Sequence, residues 1–139
     1  ISIAEAIGLD GFDISYNGYE ILDEYPNSEE EGVFTITPGS SEDSLLVVHF
    51  NVFNPNSETE HCDTLDLKPS FRLLINGQKH SILTTLLLND LVTLDDDINS
   101  GENLDAVLIA EISDDKAANI SSLGLIVKGD DGNREFSLE

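Results

Sequence analysis

The sequence predicts an all-β fold, an antiparallel β-sandwich of about seven to eight strands. Apolar and polar residues alternate over most of the chain, and Gly, Pro and Asn turn residues recur about every ten positions. A length of 139 residues with 40% apolar residues fits one domain with one core. Long connections between the predicted strands favour two packed sheets over a closed barrel.

The first predicted strand follows a short N-terminal segment. Ser2–Leu9 is expected to form a short helix or a frayed extension. Phe12–Tyr16 alternates apolar with polar residues and predicts a strand. Asn17-Gly18 then gives a turn signal, and Tyr19–Leu22 is a candidate continuation after it.

A polar loop precedes the second predicted strand. Glu29–Glu31 belongs to this loop, and Phe34–Thr37 alternates until Pro38-Gly39 ends it. We therefore assign residues 1–31 to an N-terminal extension with the first strand and residues 32–139 to the sandwich, within a single domain.

The clearest strand is Ser44–Asn54, where the period of two is longest. One predicted face carries Leu46, Val48, Phe50 and Val52. The opposite face carries Val47, His49, Asn51 and Phe53. A dense turn cluster, Asn54–Ser57, ends the strand.

The next element is predicted to be a hairpin over Ser70–Ile82. Its turn is Asn76-Gly77, the pair favoured in type I′ turns because both central residues need a positive φ. Leu83–Leu94 has crowded apolar residues without a clean period. Its Thr and Val content favours a strand, with a short helical turn near Leu87–Leu91 as the alternative.

The C-terminal part completes the pattern of strands and turns. Asp95–Glu102 is predicted to be a loop, and Leu104–Ile112 alternates over a second long strand. Asp114–Ser122 is a polar connection. The chain closes with a second hairpin formed by Leu123–Lys128 and Arg134–Leu138 around the turn Gly129–Asn133.

The net charge narrows the classes of partner. The chain has 28 acidic and 6 basic residues, a formal charge of −22. So few cations cannot form the basic stripe that nucleic acid requires, and anionic membrane surfaces are repelled. No apolar run approaches the ~20 residues of a transmembrane segment. The charge favours a soluble monomer, and a cationic protein, a cationic polymer or a divalent cation stays open as partner.

Catalytic patterns are weak throughout the sequence. Cys62 is the single cysteine, so no intramolecular disulfide forms, and His61 is its only nearby partner for nucleophilic chemistry. The other two histidines are His49 and His80, and the three histidines together lack the spacing of a zinc site. We therefore predict no enzyme and no catalytic, cofactor-binding or metal residues.

Two features point weakly to binding. Asp95–Glu102 has Asp, Asp and Asn at the first, third and fifth positions of an EF-hand pattern, but Ser100 replaces the glycine and Ala106 the bidentate glutamate. A looser calcium site that includes Glu102 stays open. Three tyrosines near the N-terminus form either a contact surface or a cap on the sandwich end. They are Tyr16, Tyr19 and Tyr25.

The order of these motifs carries a family resemblance. The run Leu45–Asn56, then Phe71–Gly77, then Asn99–Glu102 before Ala106–Ile112, and last the Gly129–Gly132 turn are its parts. Over residues 32–138 the chain resembles telokin-like, immunoglobulin-like domains of exported Gram-positive bacterial proteins, often lipoproteins. The resemblance implies an immunoglobulin-like sandwich without catalytic residues.

The chain departs from antibody-type domains because it lacks a cysteine pair and a tryptophan. The apolar faces of Leu46–Val52 and Leu104–Ile112 are expected to fill the core instead.

The function expected from the sequence is a non-enzymatic binding or scaffold module, at the cell surface or secreted, with a protein or glycan partner. The chain starts at Ile1 and contains no Met, so we expect either a processed mature chain or a trimmed one, with tethering to the envelope through a removed N-terminal segment. The alternative is a carbohydrate- or calcium-binding accessory module of an envelope protein. A small hydrolase is the third option and would need carboxylates that converge in a cleft.

Overall fold

The computed structural model describes residues 1–26, 35–129 and 132–139. Over these residues the all-β prediction is confirmed. There are nine strands and two short helices in the described ranges: α1 (Ile3–Ile7), β1 (Asp13–Leu22), β2 (Asp43–Phe53), β3 (Glu60–Asp63), β4 (Ser70–Ile75), β5 (Gln78–Ser81), β6 (Asp95–Ile98), β7 (Asn103–Ser113), α2 (Asp114–Ala117), β8 (Leu123–Gly129) and β9 (Gly132–Leu138).

Some sequence predictions lie outside the described residues. They are Phe34, the acidic Glu29–Glu31 stretch, the 31/32 boundary, and Asp130 and Asp131 of the last turn.

Two antiparallel sheets face each other across the main core. One has the order β1-β2-β7 and the other β5-β4-β8-β9. Their inward side chains are fully buried, for example Val48 and Leu108 from the first sheet and Leu73 and Leu125 from the second. Burying each such side chain contributes about 1.5–3 kcal/mol, so this alternation is the main source of stability. A separate two-stranded ribbon, β3-β6, packs Cys62 against the same core.

The Asn17-Gly18 pair forms a β-bulge, so its interpretation as a turn is wrong. Tyr16 pairs with Phe50 and Tyr19 with Val48, which leaves one extra residue in β1. Gly18 absorbs the irregularity at φ +95°. Strand β2 is long enough to keep pairing with the chain beyond the bulge, and β1 therefore continues to Leu22.

The middle parts of strands β2 and β7 are buried on both faces. The alternation predicted for β2 and β7 is confirmed on the core side. On the outer face, Val47 and Ile109 join a second apolar cluster, which Leu87 completes. The outer face is therefore apolar in its middle and polar only near the ends of the strands.

Of the two structures expected for residues 83–94, the strand is reduced to an isolated bridge between Asp90 and Val107, and a single turn closes where the Asp90 N–H donates to the Leu87 carbonyl at 3.3 Å. The Leu83 N–H donates to the Ile109 carbonyl at 2.7 Å, and the Leu91 N–H donates to the Val107 carbonyl at 3.0 Å. Between these two anchors the backbone makes irregular turns. The segment follows the free edge of β7 because Leu87 must reach the outer apolar cluster.

The prediction of a loop over Asp95–Glu102 is wrong for the first half of that range, because Asp95–Ile98 forms β6 and pairs with β3. Cys62 and Ile98 are buried in the main core and hold the ribbon down. Two short strands that were not predicted, β3 and β6, bring the described strands to nine, whereas the described part of the predicted strand Phe34–Thr37 makes only an isolated bridge, between Ile36 and Tyr25.

Other local predictions are confirmed. Helix α1 carries a Ser2–Glu5 capping box. Asn76 and Gly77 adopt φ values of +53° and +79°, as a type I′ turn between β4 and β5 requires. Strands β8 and β9 form the second hairpin, and the predicted polar connection contains α2.

Candidate functional site

Two leucines project from the segment beside β7. Leu86 is 76% exposed and Leu88 is 92% exposed, whereas Leu87 between them is 7% exposed. Leu87 packs with Leu45 and Val47 of β2 on the outer face of the sheet. We call residues 83–91 the leucine loop. Its two exposed side chains gain nothing from the fold, which leaves them available to a partner.

A buried aspartate fixes the shape of the leucine loop. Asp90 is 3% exposed, and its carboxylate accepts hydrogen bonds from the Thr85 hydroxyl at 2.5 Å and the Val92 N–H at 2.9 Å. The Val107 N–H donates to the Asn89 carbonyl at 2.9 Å. The exposed leucines therefore sit on an ordered backbone, which lowers the entropic cost of binding.

Acidic groups flank this surface on the outer face. The His49 ring lies between Glu20 and Asp105, with nitrogen–oxygen distances of 3.0 Å to each. Asn89 of the leucine loop lies beside these acidic groups. Its side-chain amide donates to the backbone carbonyl of Asp105 and to the Tyr25 hydroxyl, both at 3.2 Å. An outer-face position for His49 agrees with the sequence prediction.

The structure does not gather the three tyrosines into one surface. Tyr16 packs edge-on against Phe50 on the core side, and burial raises its pKa. Tyr25 packs edge-on against His49 on the outer face. Among the aromatic residues in the described ranges, Tyr19 alone is exposed, at 42%. An aromatic row of the kind that stacks on sugars is therefore absent from the described part of the chain.

The β3-β6 ribbon brings together His61 and two aspartates that lie far from it in the sequence, Asp95 and Asp97. His61 Nδ1 lies 2.6 Å from Asp97 Oδ1, and His61 Nε2 lies 2.5 Å from Asp95 Oδ1. The hydrogen bond to Asp97 raises the pKa of the His61 imidazole most, and the bond to Asp95 raises it further. Asp63 lies directly opposite Asp95.

Cys62 points away from this group, into the core. It is fully buried, and burial raises the pKa of its thiol to about 11. A thiol in this state is a poor nucleophile at neutral pH.

The EF-hand arrangement does not form. Asp95 and Asp97 extend from a strand, whereas Asn99 and Glu102 bond to each other in the turn that follows it, with the Asn99 amide 3.3 Å from the Glu102 carboxylate. Asp63 completes the ribbon group from about 30 positions earlier in the chain, so no local spacing pattern could have revealed it.

Comparison with known proteins identifies proteins of similar fold and no relative by sequence. No protein-family model and no curated protein matches the chain. A solved structure of an uncharacterized β-sandwich protein from Clostridium difficile 630 aligns with a TM-score of 0.55 and 15% identity, over 94% of this chain and 87% of that one. A conserved hypothetical protein from Bacillus anthracis aligns with a TM-score of 0.51 and 14% identity, over 94% and 89%.

None of the helices in the described ranges is long and apolar enough to cross a membrane. Together with the sheets above, the two structural matches establish that this chain is a β-sandwich related in fold to proteins of Gram-positive bacteria.

Proposed function

We propose that this chain is a non-enzymatic binding module of a Gram-positive cell envelope that docks a protein partner through its leucine loop. The observation that supports this proposal is the exposure of Leu86 and Leu88, which are 76% and 92% exposed on a loop anchored by the buried Leu87 and Asp90. An ordered backbone that exposes apolar side chains presents them to a partner at a low entropic cost of binding.

The chemistry of the surface defines the partner. Burying Leu86 and Leu88 in an apolar groove would supply about 3–6 kcal/mol, at about 1.5–3 kcal/mol per side chain. The acidic groups beside the loop, Glu20 and Asp105, and the formal charge of −22 favour a groove with a basic rim. The same charge opposes insertion of the leucines into an anionic membrane.

The proposed location depends on the sequence resemblance to exported telokin-like, immunoglobulin-like domains. The Gram-positive origin of the two fold neighbours is consistent with it. The gene tests this part directly. A signal segment with a lipobox cysteine upstream of Ile1 would support a lipoprotein, and a cytoplasmic fusion partner there would contradict export.

The binding experiment compares two pairs of exposed leucines. The fluorescently labelled chain is added to intact cells of the bacterium that encodes it, and the bound fraction is measured. The double variant Leu86→Ser/Leu88→Ser should bind at least about tenfold more weakly, since truncating a contact of this kind costs 1.4 kcal/mol or more. The control is Leu65→Ser/Leu67→Ser, which changes leucines that are 49% and 40% exposed elsewhere.

Three outcomes would contradict the proposal. The first is an absence of binding by the unmodified chain. The second is an equal loss for both double variants. The third is binding that survives protease treatment of the cells, which would indicate a glycan or lipid receptor.

A further inference from the structure

Four polar side chains share one face of the β3-β6 ribbon. His61 lies opposite Asp97, and Asp63 lies opposite Asp95. Residues directly opposite each other, and alternate residues of one strand, point to the same side of an antiparallel pair. The ribbon therefore presents one imidazole and three carboxylates as a compact group on the surface.

The distances within this group suit a shared ion. One ligand atom from each of His61, Asp63 and Asp95 lies within 4.8 Å of the other two. Ligands about 2.1 Å from one tetrahedral ion lie about 3.4 Å apart, so side-chain shifts of about an ångström would complete a site. His61 and Asp95 are about half exposed, with side-chain exposures of 54% and 49%, and have room for such shifts.

The ribbon also orients the group. Asp97 lies 2.6 Å from His61 Nδ1 and accepts its proton, while Nε2 lies 2.5 Å from Asp95 Oδ1 on the side of the other carboxylates, so an ion bound there would take the place of the Nε2 proton. A carboxylate that holds the far nitrogen in this way is the usual support of a metal-bound histidine. The Asp66 N–H donates to Asp63 Oδ1 at 2.9 Å and fixes the second carboxylate.

The pairing of Asp63 with Asp95 places two like charges opposite each other, and His61 offsets only part of their repulsion. Like charges directly opposite each other destabilise a sheet, and the chain as a whole carries a charge of −22. Strands of four residues have few hydrogen bonds to offset this repulsion. A bound cation would remove it and join β3 to β6.

We propose that His61 Nε2, Asp63 and Asp95 bind a divalent transition-metal ion of the zinc class, with Asp97 supporting the imidazole. Calcium takes oxygen ligands alone, whereas an imidazole with two carboxylates is a zinc-type donor set. The proposed site shares Asp95 with the calcium alternative at Asp95–Glu102. The sequence predicts no metal ligand because no local pattern indicates that β3 pairs with β6.

Titration of the metal-free full chain with zinc chloride, followed by calorimetry, tests the proposal. We expect one site, and we expect zinc to bind at least about tenfold more tightly than calcium. Asp95→Asn should weaken zinc binding by tenfold or more. The matched control is Asp96→Asn, which makes the same change in charge at the neighbouring position, on the Cys62 side of the ribbon, and should leave the affinity within about twofold.

A second measurement needs no variant, which is useful because His61→Gln would also remove two hydrogen bonds from the ribbon. The imidazole resonances of the native chain are followed by NMR during the same titration. His61 should shift or broaden at one equivalent of zinc, and His49 and His80 should not. Equal weakening by Asp95→Asn and Asp96→Asn, an unchanged His61 resonance, tighter binding of calcium, or no zinc binding would each overturn the proposal.

Discussion

Replacing Asn54 with aspartate should destabilise the fold, because the residue is buried and uses both ends of its amide. Asn54 is 0% exposed at the end of β2. Its Nδ2 donates to the carbonyls of Glu58 and Ile98, both at 2.8 Å. Its Oδ1 accepts from the Asn56 N–H at 2.9 Å and from the Asn56 amide at 3.0 Å. Aspartate has the same shape and keeps the acceptor, but it turns both donations into contacts between oxygens.

The expected cost follows from these contacts. Two lost hydrogen bonds cost about 1 kcal/mol each, and the new carboxylate oxygen, buried against two carbonyl oxygens without a donor of its own, adds about 1–3 kcal/mol. The loss is therefore about 3–5 kcal/mol, a large part of the ~5–15 kcal/mol that stabilises a typical domain. Because burial and the two opposing carbonyl oxygens disfavour the charged carboxylate, its pKa in the folded state should be raised, and the loss should shrink as the pH falls through that pKa.

Urea unfolding at pH 7.5, followed by circular dichroism, measures the free energy of unfolding. The matched control is Asn17→Asp, which makes the same substitution at an exposed residue whose one described side-chain bond, to Asn51, is 3.5 Å long. That control should lose less than about 1 kcal/mol, in line with surface substitutions. A loss below about 1 kcal/mol for Asn54→Asp, or an equal loss for the two variants, would refute the argument.

Three further predictions concern single residues. Cys62 should resist iodoacetamide at pH 8 in the folded chain and react fully in denaturant, because a thiol pKa of about 11 leaves little thiolate; rapid labelling of the folded chain would contradict its burial. Burial and, to a lesser degree, the charge of Lys116 lower the pKa of His80, so NMR should place its titration below pH 6.5, and Lys116→Gln should raise that pKa. The contribution of neutral His80 to stability is present above pH 6.5 and is lost as the pH falls through the lowered pKa. Gly77→Ala should cost about 1–2 kcal/mol in urea unfolding because its φ is +79°, whereas Gly39→Ala, where a Cβ would make only ordinary contacts at 3.6 Å, should cost little.

Features set by adjacent residues could be predicted from the sequence. The Asn76-Gly77 turn and the alternating faces of β2 and β7 depend on φ preferences and on a period of two, both of which are local. The Asn17-Gly18 pair shows the limit of this argument. The same residue types make a bulge there, because the chain on both sides already pairs with β2.

Features set by distant pairing could not be predicted. Asp95–Asp97 has a composition that disfavours strands, yet it forms one because Cys62 and Ile98 are buried beneath the ribbon and His61 offsets part of the negative charge. The candidate metal ligands come from both strands of that pair. The exposed side chains of the leucine loop could not be predicted from the sequence for a related reason. Three consecutive leucines do not indicate which one is buried until the outer cluster is known.

The two-sided burial of β2 and β7 has a consequence for handling and storage. If residues 83–91 detach while both sheets stay intact, Leu87 leaves the outer cluster and the apolar stripe of Val47, Val107 and Ile109 meets water. Hydrophobic strands bared in this way are templates for aggregation. Local opening of this cover, rather than global unfolding, would then set the lifetime of the protein in concentrated solution, and high salt would shorten it by screening the repulsion between molecules.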